Sequence, residues 1–273
     1  MYPATGFTKG ELIDYYTRVA PALLPHLRGR PLTLKRYPNG VEGKFFYEKN
    51  CPSHRPDWVA TANVGEIDYC LCDDLPTLVW MANLADLELH PSLSLAEQIE
   101  RPTVMAFDLD PGEPAGIMEC REVAVLLREA LGHIGLECFP KTSGSKGVQV
   151  YAPLNSGEAD YDEGTKVLSQ ALARHMEAEH PKLIVSSQKK ELRRGKVLID
   201  WSQNDEHKTT VSVYSLRAKE RPTVSTPLTW DELEAAEKPE QLAFTSGDVL
   251  ERVQEHGDLF APVLELRQAL PAL

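Results

Sequence analysis

The stretch Val104 to Pro111, Val-Met-Ala-Phe-Asp-Leu-Asp-Pro, restricts this chain more than any other. Its apolar, β-branched and aromatic content predicts a strand running out of a core. The two-residue period of a strand turns Asp108 and Asp110 to one face. Pro111, which has no N–H to donate, ends the pairing. Carboxylates two residues apart on a strand have Cβ atoms roughly 6–7 Å apart, and their side chains can converge on cations about 3.5–4 Å apart. Left bare at that distance they repel, and a cation is the simplest remedy. The alternative is that both acids cap the following helix and face water. This stretch alone leaves the two open.

At 273 residues, the chain can form one large domain or two intimate subdomains. With 42% hydrophobic and 26% charged residues it has an ordinary globular composition. No apolar run approaches the ~20 residues of a membrane span, and a cytoplasmic location is the expectation. The cysteines at 51, 70, 72, 120 and 138 are odd in number, and Cys70 and Cys72 lack zinc-knuckle spacing, so all are expected to be reduced and buried. The net charge of −12 argues against a general nucleic-acid coat. Its distribution is uneven: Arg28, Arg30, Lys35 and Arg36 form one basic cluster, and Lys189, Lys190, Arg193, Arg194 and Lys196 another, while residues 229–258 are acidic. A polyanion can lie along one groove of such a chain, although either basic run alone reads as a solvated face.

In chain order, Thr8 to Glu11 has capping-box form and predicts a helix over about Lys9 to Val19, broken by Pro21, Pro25 and Gly29. A strand at Pro31–Arg36 precedes a Pro38-Asn39-Gly40 turn. Of the adjacent aromatics Phe45, Phe46 and Tyr47, one is expected in the core and its neighbour is free to stack on a base. Helices are expected over Leu75–Leu87, over 117–131 and over 161–179, the last burying Leu168, Ala171, Leu172 and His175. Leu136–Phe139 completes a βαβ-like unit with the Asp108 strand. Ser143-Gly-Ser-Lys-Gly147 reads as a hairpin turn whose Ser and Lys suit phosphate oxygens, without Walker spacing. Val197–Trp201 is a strand that delivers Asp200, and Thr209–Leu216 reads as its hairpin partner. Thr229 to Glu232 is a second capping box, and Gly257 ends an acidic helical region.

The ordered motifs D-L-D-P (108–111), S-G-S-K-G-V-Q (143–149) and I-D-W-S-Q-N (199–204) resemble the archaeo-eukaryotic primase superfamily. Within it they are similar to the polymerase domain of bacterial ATP-dependent DNA ligase D and its stand-alone relatives. K-R-Y-P-N-G (35–40), K-F-F (44–46), P-D-W-V (56–59), Y-S-L-R (214–217) and V-S-T-P-L-T-W-D-E-L (224–233) resemble the same family, which thereby covers nearly the whole chain. The resemblance implies an α/β (α+β) primase-like core, residues 1–273 forming a single catalytic domain of two closely packed halves, each with a central mixed or antiparallel sheet flanked by helices. It implies template-directed nucleotide addition with Mn2+ or Mg2+, often of ribonucleotides, that fills short gaps at broken DNA ends.

By the same resemblance Asp108, Asp110 and Asp200 hold two cations. Ser143, Lys146, Gln149, Ser202, Gln203, Arg217, His90 and Lys35 attend the incoming nucleoside triphosphate, an NTP or dNTP. Phe45 or Phe46 stacks on the template, and Lys9 belongs to a pocket for a downstream 5′-phosphate. Ku and an ATP-dependent ligase are the implied partners. The chain departs from the family at Gln149, where His is frequent. It also begins at Met1-Tyr2-Pro3, without the basic stretch that usually precedes this point, so weaker 5′-phosphate dependence is expected. A straight strand from 209 to 217 would carry Arg217 roughly 20 Å from the carboxylates; a break near Ser212–Ser215 is therefore expected. Two rival readings accompany this one. Phe107-Asp-Leu-Asp110 could open a haloacid-dehalogenase-like phosphatase, although that motif normally continues Gly-Thr and lies near the chain start. Alternatively, the fold is a catalytically weak module that binds DNA ends or repair partners.

Overall fold

In the computed structural model, residues 1–271 are described, so the last two of the expected 1–273 domain lie outside it. The chain divides into two compact units, each assembled from three separated segments. The first comprises Met1–Ile99, Thr209–Thr226 and Phe244–Asp258, and the second Glu100–Lys208, Pro227–Ala243 and, among the described residues, 259–271. Each unit contains a five-stranded sheet with helices, as expected for the mixed α/β class.

In the first unit, the Thr8 hydroxyl and the Glu11 carboxylate cap α1 (Lys9–Leu27) reciprocally. The helix does not stop at Pro21 or Pro25. Each internal proline costs about 3 kcal/mol in an exposed helix, but here Ala20, Ala22, Leu23 and Leu27 are buried, and this burial opposes the cost. The sheet contains β1 (Leu32–Arg36), β2 (Phe46–Glu48), β3 (Thr61–Val64), β4 (Ile67–Cys70) and, after α2 (Leu75–Asn83), β5 (Asp86–Pro91). Its order is β2-β1-β4-β3 with β5 also paired to β1, antiparallel throughout. α2 ends before Leu87, because Ala85 adopts φ +62° and the chain turns into β5.

Three further expectations fail in this unit. None of Phe45, Phe46 and Tyr47 enters the core: they are 50%, 43% and 57% exposed, at a sheet edge where β2 pairs with β1 alone. Cys51 and Cys70 are joined in a disulfide, brought together by the Cys51 N–H donating to Asp68 O; Cys72, Cys120 and Cys138 are buried free thiols. Residues 209–216 form no strand with Asp200. They follow β5 through two bonds, Thr210 N to Pro91 O and Ser212 N to Leu89 O, and then break at Tyr214, whose φ is +63°. The break lies within the expected Ser212–Ser215 span, although the pairing from which it was expected does not form.

The second unit has strand order β7-β8-β6-β10-β9, from β6 (Val104–Pro111), β7 (Phe139–Thr142), β8 (Val148–Pro153), β9 (Ile184–Val185) and β10 (Val197–Asp200). All its pairs are antiparallel except β9 with β10. α3 (Ile117–His133) carries the chain from β6 to β7, and β8 pairs between those two strands, a βαβ unit with a strand inserted. Cys120, Ala124, Leu127 and Leu131 of α3 are buried as predicted. A single π-turn at Tyr161–Thr165 leads into α4 (Lys166–Glu179), which buries Leu168, Ser169, Leu172, Ala173 and Met176. Ala171 and His175 face solvent instead, since the buried stripe is rotated toward Ala173 and Met176. The Thr229 capping box opens α5 (Trp230–Ala235) as expected.

Candidate active site

The second unit's sheet aligns four polar side chains in one row. Register pairs Lys141 with Gln149, Gln149 with Asp108, and Asp108 with Asp200, one residue from each of β7, β8, β6 and β10. Residues directly opposite on neighbouring strands share a face with Cβ atoms about 4.5–5.5 Å apart. The row therefore reads cation, amide, carboxylate, carboxylate, and Asp110 lies on the same face, two residues along β6.

Burial pushes the Asp108 carboxyl up to about 6; a hydrogen bond from Gln149 and the charge of Lys141 oppose the rise, and Asp200 and Asp110 add to it. Asp200 is held by its own turn. Its Oδ1 accepts from Ser202 N (2.9 Å), Ser202 Oγ (2.6 Å) and Gln188 Nε2 (2.8 Å), and its Oδ2 from Gln203 Nε2 (3.0 Å). Lys208 Nζ donates to Ser202 Oγ at 2.6 Å. The turn is tied to the sheet by buried Asn204, whose amide both accepts from Ala106 N (2.9 Å) and donates to Ala106 O (2.8 Å).

The basic segment 189–196 reaches this face. Arg193 Nη1 lies 3.3 Å from Asp110 Oδ2, and Nη2 donates to Gln188 O (2.7 Å) and Oε1 (2.9 Å). The segment can approach because position 112 is glycine: a Cβ there would collide with the Arg193 carbonyl. Gly112 N also donates to Lys196 O, and Gly195 N to Gly112 O. The β7–β8 turn is held from within, Ser143 Oγ accepting from Ser145 N and Gly147 N, while Lys146 is exposed and pairs with Glu113. Gly147 has no room for a side chain, since a Cβ would strike the Leu109 carbonyl.

The carboxylates fit divalent cations by donor chemistry and by an arginine standing where positive charge is wanted. Among the described residues no three His, Cys, Asp or Glu side chains come together at one point.

The first unit gathers Lys35, His90 and Arg217 around an acid that the sequence reading missed. Glu88, on β5, has a side chain only 2% exposed. Its Oε1 is 3.3 Å from Lys35 Nζ and accepts from Ala218 N (3.0 Å), and its Oε2 is 3.1 Å from His90 Nε2 and 3.3 Å from Arg217 Nε. Burial alone would raise the Glu88 carboxyl, but the His90 hydrogen bond and the Arg217 charge hold it well below the usual carboxylate range. Burial also depresses His90, against the pull of Glu88. Lys35 Nζ lies 4.6 Å from the Phe45 ring centroid and within 5.5 Å of those of Tyr37 and Tyr47. Lys9 is at the start of α1, donating to Asn83 O.

The family model described as LigD, primase-polymerase domain, matches residues 8–260. The multifunctional non-homologous end joining protein LigD of Mycolicibacterium smegmatis is 41% identical over 269 residues, covering 96% of this chain and 35% of that protein. The bifunctional non-homologous end joining protein LigD of Bacillus subtilis is 33% identical over 250 residues, covering 92% and 40%. The chain thus spans a little over a third of these relatives. A solved structure, the polymerase domain from Mycobacterium tuberculosis ligase D in complex with DNA, superposes with a TM-score of 0.87 at 38% identity, covering 98% of this chain and 96% of that one.

Proposed function

The chain belongs to the LigD primase-polymerase domain family, whose members are DNA-directed nucleotidyltransferases, and from that premise we propose that it extends a primer strand across short gaps or at broken ends of DNA. The observation that carries this reading is the pairing of Asp108 with Asp200 beside Asp110, met by the guanidinium of Arg193. Such a surface attracts divalent cations.

In the proposed reaction Asp108, Asp110 and Asp200 hold two ions, Mn2+ or Mg2+, which when bound lower the pKa of a primer 3′-hydroxyl and neutralise triphosphate charge. Arg193 and Gln188 must release their carboxylates for this to happen. Ser202, Gln203 and Lys208 fix the direction of Asp200, and Ser202 and Gln203 also face the nucleotide, together with Ser143, Lys146 and Gln149. Lys35, His90 and Arg217, preset on Glu88, serve the incoming nucleotide, His90 and Arg217 at its triphosphate. Phe45 or Phe46 stacks on a template base, and Lys9 meets a downstream 5′-phosphate. Ribonucleotides are the favoured substrate, end joining the setting, and Ku and a DNA ligase the partners.

The test is primer extension on a short gapped duplex with Mn2+, offering ribo- or deoxyribonucleotides in parallel, for the parent and for the Asp108→Ala/Asp110→Ala protein. Template-directed addition by the parent only is expected. DNA binding without addition by either would establish a binding module, and phosphate release without addition a phosphatase.

A further inference from the structure

Lys141 is completely buried, yet the family reading assigns it no role. Burying an ammonium costs several kcal/mol unless strong interactions compensate. Its Nζ donates to Gln149 Oε1 at 2.5 Å and lies 5.3 Å from the centroid of the Tyr151 ring. On the far side of Gln149 in the same row is Asp108, which accepts the hydrogen bond of the Gln149 side chain.

The donor and acceptor inventory leaves one solution. Lysine only donates, an ionised carboxylate only accepts, and a glutamine amide presents one oxygen and one NH2. With Oε1 on Lys141, the NH2 must face Asp108. The flipped amide would set donor against donor at Lys141 and acceptor against acceptor at Asp108. A neutral histidine at 149 meets the same constraint, one ring nitrogen accepting from Lys141 and the other N–H donating to Asp108.

Resting on the reading that Asp108 holds a cation, we propose that Lys141 is a positioning residue for that site: it fixes the polarity of the side chain at 149, and through it the direction of the Asp108 carboxylate, from two strands away. Gln149 thereby supplies a permanent donor without needing a charge of its own.

The experiment is a Mn2+ titration of the protein alone, free Mn2+ being read by electron paramagnetic resonance, on the parent, Lys141→Met, Gln149→Leu and the double variant, with folding checked by thermal unfolding. Loss of a group that orients a metal ligand typically weakens metal binding about 10–100-fold, so each single variant should bind at least about tenfold more weakly. The double variant should be no worse than Gln149→Leu, because Lys141 acts through that side chain. Parent-like binding by Lys141→Met, or losses that multiply in the double variant, overturns the proposal. A parent that binds no Mn2+ overturns the cation reading itself, and the proposal with it.

Should Lys141→Met fail to fold, the Gln149→His protein decides. Its imidazole nitrogen shifts should show one fixed neutral tautomer and Mn2+ affinity within about threefold of the parent, well short of the tenfold loss expected of a disoriented ligand. A ring exchanging between tautomers, or binding as weak as that of Gln149→Leu, overturns the proposal.

Discussion

Asp86 and Glu88 are neighbours on one face of β5, both buried, and their carboxyls shift in opposite directions. Burial drives Asp86 well above its ordinary value, against the nearby charge of Arg36. In the folded chain Asp86 keeps its proton after the unfolded chain has lost it, so its contribution is intact below the unfolded value near 3.9 and declines as pH rises above it. Asp86→Asn should therefore gain stability over the parent as pH rises from 4, by about 1.4 kcal/mol per pH unit until the folded carboxyl ionises. Glu88 has the opposite sign: its contribution is complete above the unfolded value near 4.3 and is lost as pH falls. At pH 7, Glu88→Gln should lose on the order of 3–5 kcal/mol, because Lys35 and Arg217 are left buried without their counter-ion. Denaturant unfolding across pH 4–8 checks both; parallel parent and Asp86→Asn curves would show that Asp86 is ionised in the folded state.

Strands and turns were legible from sequence to different degrees. The Asp108 strand, the Asp200 strand and the capping boxes at Thr8 and Thr229 all declare themselves locally, through a two-residue period or a three-residue reach. Glu88, Lys141, Gln188 and Asn204 do not, because their roles depend on which strand lies beside which. Lys141 meets Gln149 through a hairpin register, and Asn204 meets Ala106 from 98 residues away. The failed hairpin at 209–216 has the same origin: alternation revealed an extended segment but not its neighbour, which is β5. Gly112 illustrates a position readable only in three dimensions. Gly112→Ala should lift segment 189–196 from the end of β6, destabilise the protein by about 1–3 kcal/mol as overpacking commonly does, and speed tryptic cleavage after Arg193 and Arg194. Parent-like cleavage would mean that the segment is already free of β6 in solution.

At the scale of the whole chain, both units are discontinuous, and this limits how either can be made alone. Tyr2, Tyr15 and Tyr16 hydrogen-bond to Arg217 O, Tyr214 O and Leu216 N, and His26 is 2.8 Å from Asp258, so the first 99 residues complete their polar core only with segments more than 100 residues later. A fragment of residues 1–99 should lack a cooperative thermal transition, and the full chain should show one; a two-state transition in the fragment would show that these bonds are dispensable. The exposed aromatic edge at β2 has a different consequence. A sheet edge offers unpaired backbone groups to any strand that approaches, and apolar rings beside it add adhesion. The surface proposed to stack on bases is therefore also where two copies of the chain would stick together. A strand of only three residues and a net charge of −12 oppose that contact. Salt high enough to screen the charge removes one of these two safeguards, and colloidal stability in the absence of nucleic acid then depends on the shortness of β2 alone.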